Sequence, residues 1–143
     1  AFLAGEPLLL TTGGDNAIRV WIFDQEDGSP RILRERSGHS APPTRVRFYS
    51  QFSILSAGMD RSLRSLSTIQ DQQSRELSQG RVLKKAKVAG AAEEDLKLPP
   101  VVDFSASPMR EGDWSNVISC HEGQGPVYTW NFKNGVIGKH ILK

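Results

Sequence analysis

The sequence predicts an all-β chain of about three short antiparallel sheets, four strands each in the full unit, stacked side by side and not closed on themselves. Three observations predict it. The run "LLLTTGGDNAIRVW" at 8–21 recurs as "SILSAGMDRSLRSL" at 53–66, with Leu9 on Ile54, Leu10 on Leu55, Ile18 on Leu63, Asp15 on Asp60 and Arg19 on Arg64. Each copy is an apolar run, a small-residue turn containing Asp, then an alternating run, which is the pattern of a hairpin. The copies lie 45 positions apart, and a period of about 40 to 45 residues is that of one four-stranded sheet repeated around an axis.

In the first unit, residues 8–12 form a strand and Gly13, Gly14, Asp15 and Asn16 the turn. Glycine and Asp/Asn suit turn positions that need unusual backbone angles or a local side-chain bond. In "AIRVWIF", Ile18, Val20 and Ile22 alternate with Arg19, Trp21 and Phe23, so both faces are mostly apolar, as in a strand buried between neighbouring sheets. The second unit opens with "SGHSAPP" and the strand "TRVRFY", continues through the 53–66 hairpin and closes on "SRELS". The rhythm then breaks. Trp130 lies 64 positions beyond Leu66, and the excess falls in a polar stretch without aromatics. The third unit has the strand in "PPVVDFSAS", a hairpin "NVISCHEGQGPVYTWNF" turning at Glu122, Gly123, Gln124 and Gly125, and an outer strand "GVIGKHIL". The expected division is 1–36 as a partial unit lacking its inner strand, 37–80 as a unit, 81–98 as an inserted polar and basic loop, and 99–143 as a unit.

Composition narrows the function classes. At 38% hydrophobic and 24% charged residues, the chain reads as globular rather than disordered. A net charge of +2 is too small to argue for nucleic acid by itself. A single cysteine, Cys120, rules out an internal disulfide, leaves too few ligands for a cysteine zinc site, and suits a reducing compartment. No apolar run approaches the roughly 18 residues of a membrane span, and "AFLAGEPLLL" lacks a signal peptide's basic leader; it reads as a cut inside a longer chain. No cofactor, metal, membrane or small-molecule substrate is expected. His39, His121 and His140 lack metal-ligand spacing such as HExxH.

The Gly38–His39 pair, the turn aspartates and the tryptophans at 21 and 130 together resemble the WD-repeat β-propeller family, and the chain reads as a fragment of such a propeller. The resemblance implies a buried network of a loop His, a strand Ser/Thr, a turn Asp and a Trp. His39, Ser56 and Asp60 would be three members in the second unit, with Leu66 where the Trp should stand. Thr11, Asp15 and Trp21 match in the first unit, and Trp130 holds the tryptophan position in the third. A Ser-His-Asp set could also suggest a hydrolase. Asp60 sits in a hairpin turn, however, and the chain has no Gly-x-Ser-x-Gly elbow. Cys120 and His121 are adjacent on a strand and face opposite ways; Cys120 is expected as a small core residue and His121 at a turn or rim.

Outside this network, Arg81, Lys84, Lys85 and Lys87 form a basic cluster, which could meet RNA phosphates, meet an acidic partner, act as a localisation signal or simply be solvated. No aromatic is interleaved with it, so base stacking is not expected. Glu93, Glu94 and Asp95 read as a charged solvated run. Trp114, in the polar "MREGDWSN", is the aromatic expected to be open to a partner.

"GEPLLLTTGGDNAIRVWIFD", "GHSAPPTRVRFY", "LPPVVDFSAS", "DWSNVISCHEGQ" and "TWNFKNGVIGKHILK" carry a closer resemblance. They are similar to the tandem-propeller WD-repeat subunits of the UTP-B complex. That resemblance implies two linked propellers without catalytic activity and a nuclear, nucleolar location. It implies a scaffold of the small-subunit processome, with other UTP-B and processome proteins as partners and pre-rRNA or the U3 small nucleolar RNP held directly or indirectly. This chain would then be about three blades of the N-terminal propeller region. The alternative is a general WD-repeat adaptor for peptide or protein partners, of ubiquitin-ligase or chromatin type.

Overall fold

A computed structural model describes residues 1–88, 90 and 97–143, without the side chains of residues 71 and 85–88. Three antiparallel sheets follow one another along the chain. The first has three strands, β1 (Leu8–Thr12), β2 (Ile18–Ile22) and β3 (Arg31–Arg36), in that spatial order. The second has four: β4 (Pro43–Ser50), β5 (Ser53–Gly58), β6 (Leu63–Ser67) and the two-residue β7 (Arg75–Glu76). The third has β8 (Val101–Ala106), β9 (Val117–His121), β10 (Val127–Asn131) and β11 (Val136–Leu142). β4 approaches β1 on one side and β8 on the other, so the sheets meet along their first strands.

The repeated sequence folds into repeated geometry. In the first hairpin the Gly13 N–H donates to the Ala17 carbonyl and the Asn16 N–H to the Gly13 carbonyl. In the second, the Gly58 N–H donates to the Ser62 carbonyl and the Arg61 N–H to the Gly58 carbonyl. The residue two before the second strand is left-handed in both, with φ of 64° at Asn16 and at Arg61. Asparagine tolerates that region and arginine has no such preference, so the second turn is held by its surroundings.

Stacking produces two cores. Leu10, Ile18, Val20, Ile54 and Leu66 fill the space between the first and second sheets. Leu55, Leu63, Leu77, Phe104, Trp130 and Ile137 are central to a larger cluster between the second and third. Successive residues Ile54 and Leu55 enter different cores, which is why β5 reads as a continuous apolar run instead of an alternation. Arginines tie the sheets at their margins. Arg36 Nε donates to the Ser67 carbonyl at 2.9 Å. Arg75 Nη2 donates to the Phe132 and Lys133 carbonyls at 2.7 and 2.9 Å. Arg47 pairs with Asp103 at 3.0 Å.

The stretch expected as a loop at 81–98 differs. Helix α1 (Gly80–Val88) occupies its first half. The Ser78 hydroxyl accepts from the Gly80 N–H, and the Gln79 carbonyl accepts from the N–H groups of Val82 and Leu83, so the first turn is capped. Val82 packs against the larger core, and that tertiary contact fixes the helix. The acidic run Glu93–Asp95 lies outside the described residues. Buried Gln79 bridges the ends of this excursion: its Nε2 donates to the Arg61 carbonyl at 2.9 Å, and its Oε1 accepts from the Leu98 N–H at 2.8 Å.

Candidate functional site

The polar groups that the structure gathers lie in two places: buried networks between the sheets, and an exposed groove at the outer margin of the third sheet.

In the second sheet, His39 is carried by the loop before β4, Ser56 by β5 and Asp60 by the β5–β6 turn. His39 Nε2 lies 2.7 Å from Ser56 Oγ, and His39 Nδ1 lies 3.0 Å from each Asp60 oxygen. Asp60 also accepts from the Ser62 hydroxyl at 2.7 Å and from the Ser40 N–H at 3.0 Å. Burial lowers the His39 pKa, outweighing the adjacent carboxylate that would raise it. Burial alone would raise Asp60, but hydrogen bonds from Ser62, His39 and Ser40 hold it below the ordinary carboxylate value. The result is a neutral imidazole whose Nδ1–H donates to a carboxylate while Nε2 accepts from Ser56. Its connectivity is that of a hydrolytic triad, but Ser56 is 0% exposed. A nucleophile must reach a substrate carbonyl, and this one cannot; the three groups act as a sealed brace.

The third sheet builds a brace that sequence reasoning missed. Trp130 Nε1 donates to Ser119 Oγ at 2.7 Å, Ser119 Oγ lies 2.8 Å from His121 Nε2, and His121 Nδ1 lies 2.6 Å from the Pro99 carbonyl. His121 is therefore a buried member of a network and not a rim residue. Burial lowers its pKa against the raising effect of the Pro99 carbonyl. The available signal was alternation: Val117, Ser119 and His121 share the buried face of β9, and Ile118 and Cys120 the other. Cys120, expected in the core, is accordingly exposed.

The first sheet has only part of such a brace. Trp21 Nε1 donates to Thr11 Oγ1 at 2.8 Å. Asp15 does not join them. Its exposed carboxylate accepts from the Ala17 N–H at 3.2 Å and pairs with Arg19 at 2.5 Å, and Arg19 holds it below its ordinary value. The three positions are equivalent in the ladders. Trp21 pairs with Leu9, Leu66 with Ile54 and Trp130 with Val117, and the hydroxyl residue stands two further on, at Thr11, Ser56 and Ser119.

At the outer margin, Arg81 and Lys84 are exposed on α1. Lys85 and Lys87 belong to the same helix, and what their side chains do lies outside the described residues. Arg81 and Lys84 line a cavity of about 260 Å³ between α1 and β11. Trp114 is half-exposed; its Nε1 donates to the Met109 carbonyl at 2.8 Å, and its carbonyl accepts from Asn131. It lines a neighbouring cavity of about 480 Å³ that also includes Arg81, Lys139 and His140. The fold thus places an aromatic ring near part of the basic cluster, which the linear sequence does not. Among the described residues no three His, Cys, Asp or Glu side chains are grouped to hold a metal ion.

Stacked antiparallel sheets, each stitched by a hydroxyl–histidine or hydroxyl–tryptophan brace, define a WD-repeat β-propeller fragment. Residues 44–143 match the family model described as the WDR36/Utp21 second beta-propeller domain. The chain belongs to the WDR36/Utp21 family. It is 49% identical over 143 residues to "U3 small nucleolar RNA-associated protein 21 homolog" of Schizosaccharomyces pombe, covering 99% of this chain. It is 43% identical over 146 residues to human "WD repeat-containing protein 36", again covering 99% of this chain. It is 38% identical over 152 residues to "U3 small nucleolar RNA-associated protein 21" of Saccharomyces cerevisiae, covering 96%. The chain spans about 16% of the length of each of these relatives. The matched domain corrects the expectation of an N-terminal propeller region: the likeness is to the second propeller.

Proposed function

We propose that this chain is part of a non-catalytic scaffold subunit of the small-subunit processome, within the UTP-B complex, acting in pre-rRNA processing and small-subunit assembly in the nucleolus. The observation that carries the reading is membership in a family whose relatives bear the name U3 small nucleolar RNA-associated protein. The site agrees with it: the one triad-like cluster described above is sealed, so its polar groups brace the sheets. Its partners are other UTP-B proteins, with the U3 small nucleolar RNP and pre-rRNA held directly or through them.

Affinity purification of the full-length protein tests the reading. Recovery of U3 RNA, small-subunit rRNA precursors and UTP-B proteins together is the expected result. Recovery of a ubiquitin ligase or histones without rRNA precursors overturns it in favour of a general WD-repeat adaptor.

A further inference from the structure

The groove between α1 and β11 has two kinds of wall. Val82, Tyr128, Ile137 and Ile141 make an apolar floor, and Arg81, Lys84 and Lys139 stand around it with no carboxylate among the described lining residues. Ile141 and Leu142 are 45% and 53% exposed. β11 is also the last strand of its sheet. A single parallel bridge joins Val136 to Ser78, with the Ile137 N–H donating to the Ser78 carbonyl at 2.8 Å. Beyond it, no strand among the described residues pairs with that edge. Tyr128 and Ile137 pack toward the second sheet. A further sheet stacked on the third would cover the opposite face, where Ile118 and Cys120 point, and would leave this groove open.

We propose that the groove docks an extended acidic segment of a partner protein. The segment adds alongside the free edge of β11, seats one apolar side chain against Val82, Tyr128 and Ile141, and sets its carboxylates against Arg81, Lys84 and Lys139. Strand addition supplies main-chain hydrogen bonds, and side-chain pockets supply selectivity. Three cations, with no carboxylate among the described residues that line the groove, select an anionic segment and repel a basic one. RNA is the less favoured occupant. The floor is aliphatic apart from Tyr128, which is packed against the core, whereas single strands need exposed rings on which bases stack. The exposed ring nearby, Trp114, belongs to the adjacent cavity. This inference does not rest on the processome reading.

The test is a photo-reactive benzoylphenylalanine in place of Ile141 in the full-length protein, activated in cells. The expected adduct resists nuclease and is destroyed by protease, and its crosslinked peptide carries several Asp or Glu residues flanking an apolar one. Its yield falls about tenfold in the Arg81→Glu, Lys84→Glu, Lys139→Glu variant and is retained in Arg81→Lys, Lys139→Arg. The same probe in place of exposed Phe52 controls for folding, its adducts being unchanged by charge reversal. A nuclease-sensitive adduct, a peptide without acidic excess, a yield indifferent to charge reversal, or no adduct overturns the proposal.

Discussion

Gly58 is the residue on which the second brace closes. A Cβ there would stand 2.6 Å from His39 Nδ1 and 2.7 Å from Asp60 Oδ1, closer than real contacts allow. Gly58→Ala therefore forces the histidine or the aspartate out of its bonds, and a loss of about 2 to 4 kcal/mol in urea unfolding is expected. The two turn aspartates, which the repeat aligns, should behave differently. Asp60, with its side chain 9% exposed, leaves buried donors unpaired when replaced by Ala, at a cost of about 2 to 3 kcal/mol. Asp15 is exposed and held by Arg19, so Asp15→Ala should shift the melting temperature much less. The histidines add a pH dependence. His39 and His121 have folded pKa values below the ordinary histidine value because burial disfavours the cation. The unfolded chain then binds protons first as pH falls, so stability is full above about 6.5 and declines below it toward the folded pKa values. Melting temperature should drop as pH falls from about 6.5 to 5.5, with a shallower slope in His39→Gln; a flat profile would count against neutral buried imidazoles.

Hairpins were the most legible elements, because their chemistry is local. Gly13, Asp15 and Asn16 announce a turn by themselves, and Gly58 and Asp60 repeat it with matching hydrogen bonds. Helix α1 was not legible. Its sequence is a basic stretch whose branched aliphatics are Val82, Leu83 and Val88, and what makes it helical is Val82 reaching a core assembled from distant strands. The third brace was half legible: Trp130 was visible, but His121 comes from the strand itself instead of the preceding loop, and a carbonyl at Pro99 replaces the turn aspartate. Gln79 gave no signal at all, since its two partners, Arg61 and Leu98, are 18 positions before and 19 after it. Gln79→Leu keeps the volume and abandons both partners. A loss of about 1 to 3 kcal/mol is expected, with faster amide exchange at Leu98 as the local readout.

Over the whole molecule, the second sheet is covered on both faces and its neighbours each on one. The two cores share no residue, so Leu10→Ala and Ile137→Ala should each cost about 2 to 4 kcal/mol, and their costs should add to within about 0.5 kcal/mol when combined. Strong non-additivity in a double-mutant cycle would mean that the sheets communicate more tightly than stacked neighbours do. Which of two propellers the chain resembles was not legible from the fold pattern, because a blade's hairpins look alike wherever the blade sits; the family match supplied that. The clasp formed by Gln79 has a different kind of importance. By holding positions 79 and 98 together, it isolates the intervening segment from the register of the strands on either side. Descendants of this gene can lengthen, trim or recode the sequence between those two positions while both flanking sheets keep the same alignment.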